Sequence, residues 1–169
     1  TNFDIHDISR TCRTYDVKRY YIIHPLDVQR DIIKKIIGYW QDGYGRTYNP
    51  DRSNALDIVC WQADIEAAAQ DIEAQTGKRP YIVTTDARIY PNTVSYSFMR
   101  KQLKEGDRPI LLLFGTGFGI EAETMSKFDY IFCPERKNSD FRKNKLSIFK
   151  ALRDKVKLNK TKEGRLTVR

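Results

Sequence analysis

Three glycines at alternate positions, Gly115, Gly117 and Gly119, follow directly on the apolar run Leu111-Leu-Leu-Phe114. A residue without a Cβ reaches positive φ at no steric cost and lets backbone N–H groups approach a ligand closely. After a strand, such a loop suits a bound nucleotide. Loops with several glycines also serve as plain turns, and the spacing by itself leaves both readings open. Two further segments extend the pattern: Tyr130-Ile-Phe-Cys-Pro-Glu135 and the small polar and basic stretch Ser139–Ser147. Together they join two apolar strands and a basic helix through loops of Gly, Pro and small polar residues, where a cofactor is expected to sit.

Charge points to a second kind of ligand. From Arg136 to Arg169 there are 13 Lys or Arg against three acids, a net of +10, so the 17 basic and 19 acidic residues before it leave −2 of the total +8. A basic C-terminal face suits a polyanion, above all nucleic acid, because each neutralised phosphate releases counterions. The bland alternative is a solvated helix and tail.

The elements that must position these residues alternate. Ile5, Ile8, Cys12 and Tyr15 recur at helical spacing, with Asn2 or Asp4 as the cap, and Tyr20–Ile23 reads as a buried strand closed by His24-Pro25. A helix over about Leu26–Trp40 sets Val28, Ile32, Ile33, Ile36, Ile37 and Trp40 on one broad apolar face. The stretch 41–50, rich in Gly, Tyr and Arg, reads as a loop, followed by a short helical turn near Arg52–Leu56. Then come strand Ile58–Trp61, helix Asp64–Thr76 ended by Gly77, strand Tyr81–Thr84, helix Ser95–Glu105 and strand Pro109–Phe114. A brief helix near Glu121–Ser126, strand Tyr130–Cys133 and a final helix from Leu146 complete the pattern. Continuous apolar strands alternating with helices predict an α/β fold, a mainly parallel sheet with helices on both faces.

The 169 residues at 40% apolar composition suit one domain, expected over 1–158, with a basic tail over 159–169. No run approaches the roughly 20 apolar residues of a membrane span, and Thr1-Asn2-Phe3-Asp4 has no leader character, so the expectation is a cytoplasmic protein with no membrane partner. Cys12, Cys60 and Cys133 are far apart in apolar elements and read as buried free thiols, with no metal site expected.

Several segments together resemble the SPOUT class of RNA methyltransferases, within it a bacterial branch found alone or joined to a tRNA guanine methyltransferase. They are Thr1–Thr11, Tyr39–Arg52, Leu113–Gly119, Ser139–Phe141 and Asn144–Ser147. The resemblance implies a C-terminal trefoil knot, a homodimer, and S-adenosylmethionine bound between the knot loops. By motif match it implies cofactor contacts at Thr84, Thr85, Leu113, Phe114, Gly115, Gly117, Gly119, Ile131, Cys133, Pro134, Leu146 and Ser147. Asn2 and Arg10 match an Asn and an Arg of the ribose 2′-O-methylating members, near the dimer interface, which implies a catalytic role. Relatives carry a strand ahead of this motif, whereas the chain opens on it directly, as a truncated or processed chain would. The final motif is longer, with Arg142-Lys143 before Asn144, and Phe149 and Lys150 stand where relatives prefer small residues.

Methyl transfer from a sulfonium needs in-line positioning and loss of a proton from the attacking group. Arg10 can orient the ribose and stabilise a developing alkoxide; otherwise it is a helix-surface arginine. His6 on the same helix is not assigned a role. Arg46, Tyr48 and Arg52 combine phosphate pairing with base stacking and are candidate RNA contacts, as are Arg136, Lys137, Arg142 and Lys143. The 43–52 segment is equally a structural turn. The substrate implied is tRNA or rRNA. Two alternatives stand: an RNA-binding domain without catalysis, and a nicotinamide-dependent oxidoreductase, since Glu135 lies about 20 residues beyond the glycine loop.

Overall fold

The computed structural model of the chain describes residues 2–42, 44–86, 88–115, 120 and 122–132. The chain divides into two compact units, Thr1–Ala68 and Ala69–Arg169. Both are α/β, and every strand pairing among the described residues is parallel.

The first unit runs α1 (Asn2–Thr14), β1 (Tyr20–Ile23), α2 (Asp27–Gln41), α3 (Tyr44–Tyr48), α4 (Pro50–Leu56) and β2 (Val59–Gln62). Strands β1 and β2 pair in register from Tyr20 opposite Val59 to Ile23 opposite Gln62. Helix α1 buries Ile5, Ser9 and Cys12 at helical spacing. Ser9 is tolerated there because its hydroxyl donates to the His6 carbonyl at 2.9 Å. Asp4 lies in the first turn of α1, where a carboxylate favours the helix dipole, and neither it nor Asn2 precedes the helix as a cap. The core joins Ile5, Ile33, Leu56 and Val59, with Ile36, Ile37, Trp40 and Trp61 packed against it.

Two expectations for this unit are corrected. The apolar face of α2 is not buried as a whole: Ile33 is 4% exposed, whereas Ile32 and Val28 are 46% and 69% exposed. Successive helix residues point about 100° apart, so Ile32 leaves the stripe that Ile33, Ile37 and Trp40 turn to the core. The segment expected to be a loop is largely helical, as α3 and the start of α4. Asn49 is the N-cap of α4, accepting the Arg52 N–H at 3.0 Å, and Pro50 occupies the first helical position, where its missing N–H costs nothing.

Among the described residues, the strands of the second unit form a four-stranded parallel sheet. Helix α5 (Ile65–Thr76) contains the boundary between the units; Asp64 caps its start, accepting the Ala67 N–H at 2.7 Å, and Gly77 ends it at φ +73°. After it come β3 (Tyr81–Thr85), β4 (Thr93–Val94), α6 (Tyr96–Glu105), β5 (Ile110–Leu113), α7 (Ala122–Met125) and β6 (Tyr130–Phe132), in sheet order β4-β6-β3-β5. Ser95 caps α6 through the Phe98 N–H. The two-residue strand β4 was not expected; it is too short to leave a periodic signal. Side chains tie the approaches to β4, β6 and β3 together. Asn92 donates to the Phe128 carbonyl at 2.8 Å, and the Asp129 carboxylate accepts the Ile82 N–H at 2.7 Å. The core gathers Val83, Tyr96, Met99 and Phe132, the two rings edge-to-face at 4.7 Å.

Among the described residues, the expected mainly parallel sheet is observed as two parallel sets of strands, one in each unit. The expected knot and the tail over 159–169 lie outside the described residues, as do Gly117, Gly119, Cys133, Pro134, Leu146 and Ser147. Among the described residues, no helix is long and apolar enough to cross a membrane. Cys12 is free and buried, and burial pushes its thiol up to about 11, which keeps it protonated and unreactive. Cys60 is free and half-buried.

Candidate functional site

Six of the expected cofactor residues and one more, Phe132, converge at one edge of the second unit's sheet. In the β3–β5 register Thr84 is opposite Leu113, and in the β3–β6 register Thr84 is opposite Ile131, so the three form one row across adjacent strands. Thr85 and Phe132 form the next row, while Phe114 and Gly115 follow directly on β5. This is the carboxyl end of a parallel sheet, the edge at which ligands bind in open α/β folds.

The row is rigid. Thr84 is 1% exposed and Ile131 0%, and the Thr84 hydroxyl donates to the Leu113 carbonyl at 3.3 Å. Gly115 is exposed beyond it. An apolar floor ending in an exposed glycine, with strand-end backbone groups beyond, fits a cofactor held chiefly by main-chain hydrogen bonds. Asp86 continues from β3 and grips Arg88, accepting from its Nε at 3.2 Å and from its terminal nitrogen at 3.0 Å. The Arg88 hydrogen bonds hold the Asp86 carboxyl below its usual range, with Tyr90 contributing at 3.5 Å.

Of the expected catalytic and RNA-contacting residues, Asn2, Arg10, Arg46, Tyr48 and Arg52 belong to the first unit, where a groove of about 510 Å³ is lined by His6, Asp7, Arg10, Lys35, Ile36, Tyr39, Trp40 and Arg52. Arg10 is 57% exposed and ion-paired with Asp7 one turn earlier on α1. A pair this exposed contributes only about 0–1 kcal/mol to stability, so its main effect is to orient the guanidinium. Asn2 opens the same helix, and its side chain lies outside the described residues.

Arg52 stacks over the Trp40 ring at 4.6 Å, while His6 and Tyr39 meet that ring edge-on at 5.7 and 5.3 Å. Desolvation lowers the His6 pKa, and the positive charges of Arg52 and Arg10 lower it further against the smaller opposing effect of Asp7. The imidazole is therefore neutral at pH 7. Arg46 and Tyr48 sit on α3 and do not line the groove; Tyr48 stacks on Tyr44 at 6.0 Å, both rings more than two-thirds exposed. Arg136, Lys137, Arg142 and Lys143 lie outside the described residues.

The groove adds Lys35, Tyr39 and Trp40 to the residues chosen from sequence. Trp40 was legible only as a core residue of α2, yet the adjacent pair Tyr39-Trp40 just before a segment rich in Gly and Arg was a signal for it.

Residues 1–153 match the family of S-adenosylmethionine-dependent RNA methyltransferases, and the chain belongs to that family. S-adenosylmethionine is accordingly its cofactor. The chain is similar to an uncharacterised protein of Aquifex aeolicus, 44% identical over 134 residues that cover 79% of this chain and 65% of that protein. It is also similar to proteins named tRNA (guanine-N(1)-)-methyltransferase from Oleidesulfovibrio alaskensis and Nitratidesulfovibrio vulgaris, each 40% identical over 136 residues, 80% of this chain and 31% of the relative. The chain therefore spans less than two-thirds of each of these relatives.

Proposed function

We propose that this chain transfers a methyl group from S-adenosylmethionine to RNA, a tRNA or an rRNA, at a ribose 2′ oxygen. The observation that carries the reading is the row Thr84, Leu113 and Ile131 at the carboxyl edge of a parallel sheet, in a chain of this family. The relatives' names favour tRNA as the substrate, and the motif match of Asn2 and Arg10 favours ribose.

On this reading the cofactor rests on Thr84, Thr85, Leu113, Phe114, Gly115 and Ile131, together with Gly117, Gly119, Cys133, Pro134, Leu146 and Ser147. When bound, it supplies an electrophilic methyl on a sulfonium. The chain holds and orients the nucleophile. Arg10, positioned by Asp7, hydrogen-bonds to the attacking oxygen and stabilises negative charge as its proton leaves. A guanidinium is effectively always protonated, so Arg10 acts as a donor, and the proton passes to solvent or to neutral His6. Arg46 and Tyr48, with the basic residues Arg136, Lys137, Arg142 and Lys143, hold the RNA backbone. The protein works in the cytoplasm as a homodimer, a single domain over 1–158 with a basic tail; light scattering tests the dimer, and a fully active monomer would remove it.

The deciding experiment incubates the protein with labelled S-adenosylmethionine and total bacterial RNA from a strain lacking it, followed by nucleoside mass spectrometry. A 2′-O-methylated nucleoside supports the reading. A methylated base corrects the target atom, and cofactor binding without incorporation leaves an RNA-binding domain.

A further inference from the structure

Trp40 is fixed from several directions. A Cβ on Gly45 would lie 2.8 Å from the ring's Cε3 and 2.8 Å from the Tyr39 carbonyl, so the backbone of α3 closes directly on it. The His6 and Tyr39 rings stand nearly perpendicular to it, and the Arg52 guanidinium covers a face. A planar guanidinium can stack between two flat groups, and Arg52, half-buried over Trp40, also lines the groove.

The groove also carries charge. Its lining has three cations, Arg10, Lys35 and Arg52, against the single carboxylate of Asp7, a net of two positive charges. Asp7 is engaged by Arg10, and neither Lys35 nor Arg52 has a carboxylate partner among the described residues. Tyr39 stands at the rim, 57% exposed. At about 510 Å³ the groove falls in the range of small-ligand pockets, roughly 300–1,000 Å³.

We propose that this groove seats one unpaired nucleotide of the RNA, its base stacked on the Arg52–Trp40 pair beside Tyr39 and its phosphate held by Lys35. The inference rests on the RNA methyltransferase reading and adds to it a requirement for single-stranded RNA at this site. A base within a duplex has both faces covered by its neighbours and offers no surface to Arg52, whereas an unpaired base offers one whatever its identity. Neutral His6 contributes a hydrogen bond to the base edge in place of a fourth positive charge.

The test uses the full chain and a short fluorescein-labelled oligouridylate at low salt, with an RNA duplex of the same length for comparison. Arg52→Lys keeps the charge and removes the plane; it should weaken oligouridylate binding about fivefold or more, the scale of one lost stacking contact. Lys35→Glu should weaken it strongly at low salt and less at high salt. Lys104→Glu on α6, an equal change of charge, should stay within about twofold. Thermal melts show which variants are folded, and Lys35, being exposed, gives a folded comparison if Arg52→Lys loosens the unit.

Equal affinity for duplex and single strand, an Arg52→Lys protein that binds like the wild type, or no oligouridylate binding at all would each overturn the seat. Failure of the enzyme reading looks different: Arg52-dependent binding persists while labelled S-adenosylmethionine delivers no methyl group to total RNA.

Discussion

The strand-end row of the second unit and the groove of the first are made of opposite materials. Thr84, Leu113 and Ile131 are at most 7% exposed and interact through aliphatic packing and main-chain register. Arg10 and Tyr39 are each 57% exposed, and the groove around them is aromatic and cationic. The difference follows from what each is proposed to hold. A small cofactor is positioned by a surface that cannot move, and a buried sheet edge supplies one. A long polyanion needs charge at the surface, where phosphates reach it without desolvating the protein.

This contrast predicts that damage separates. The largest effect is expected from Ile131→Ala, which removes a fully buried side chain next to Thr84 and should cost roughly 2–5 kcal/mol in urea unfolding. Calorimetry should show S-adenosylmethionine binding lost with it. Normal cofactor affinity in this variant would detach the row from the cofactor.

Arg10→Ala should do the reverse, lowering methyl transfer by about 100-fold, ~2.7 kcal/mol of barrier, while leaving cofactor affinity and unfolding midpoint nearly unchanged. The side chain is exposed and its ion pair contributes little to stability. Turnover within about twofold of wild type would strip Arg10 of its role.

A smaller effect, of about 1–3 kcal/mol, is expected from Gly45→Ala, because the added Cβ meets a carbonyl oxygen and an indole that are both part of packed helices. Here the two regions are joined in one test. Groove function should fall, read as RNA binding, with S-adenosylmethionine affinity retained; loss of both would show that the units are energetically coupled.

The smallest effect concerns pH. His6 has a folded pKa below its unfolded value near 6.5, so the unfolded chain binds the extra proton first as pH falls. Its contribution to stability is complete above about 6.5 and is lost as pH drops from there through the lowered folded pKa. Urea midpoints between pH 8 and pH 5 should fall less steeply in His6→Gln than in wild type. Parallel curves would mean that His6 does not titrate with unfolding.

Much of the second unit was legible in advance because its signals are local. Gly77 ends α5 as expected, Ser95 caps α6, and Tyr81, Ile110 and Tyr130 each begin an apolar strand. The family motif also selected Thr84, Leu113 and Ile131, three residues separated by up to 47 positions. Their meeting in one row depends on the order β6-β3-β5, which strand patterns alone do not specify.

In the first unit the balance shifts. Sequence determined the helical phase of α1, which places His6, Asp7 and Arg10 within about one turn, and the motif singled out Arg10. It did not determine that Gly45 marks a close approach within a helical segment, since a glycine is compatible with a turn and with a contact alike. Nor did it show that Trp40 divides its surface between the core and the groove, because periodicity reports one face of a helix and an indole reaches past it. Composition and spacing set which elements form and which chemistry is available. Only the packing of α1, α2 and α4 brought Lys35, Trp40 and Arg52 to the side of Arg10, because contacts between distant residues are fixed by the fold's geometry and carry no local pattern.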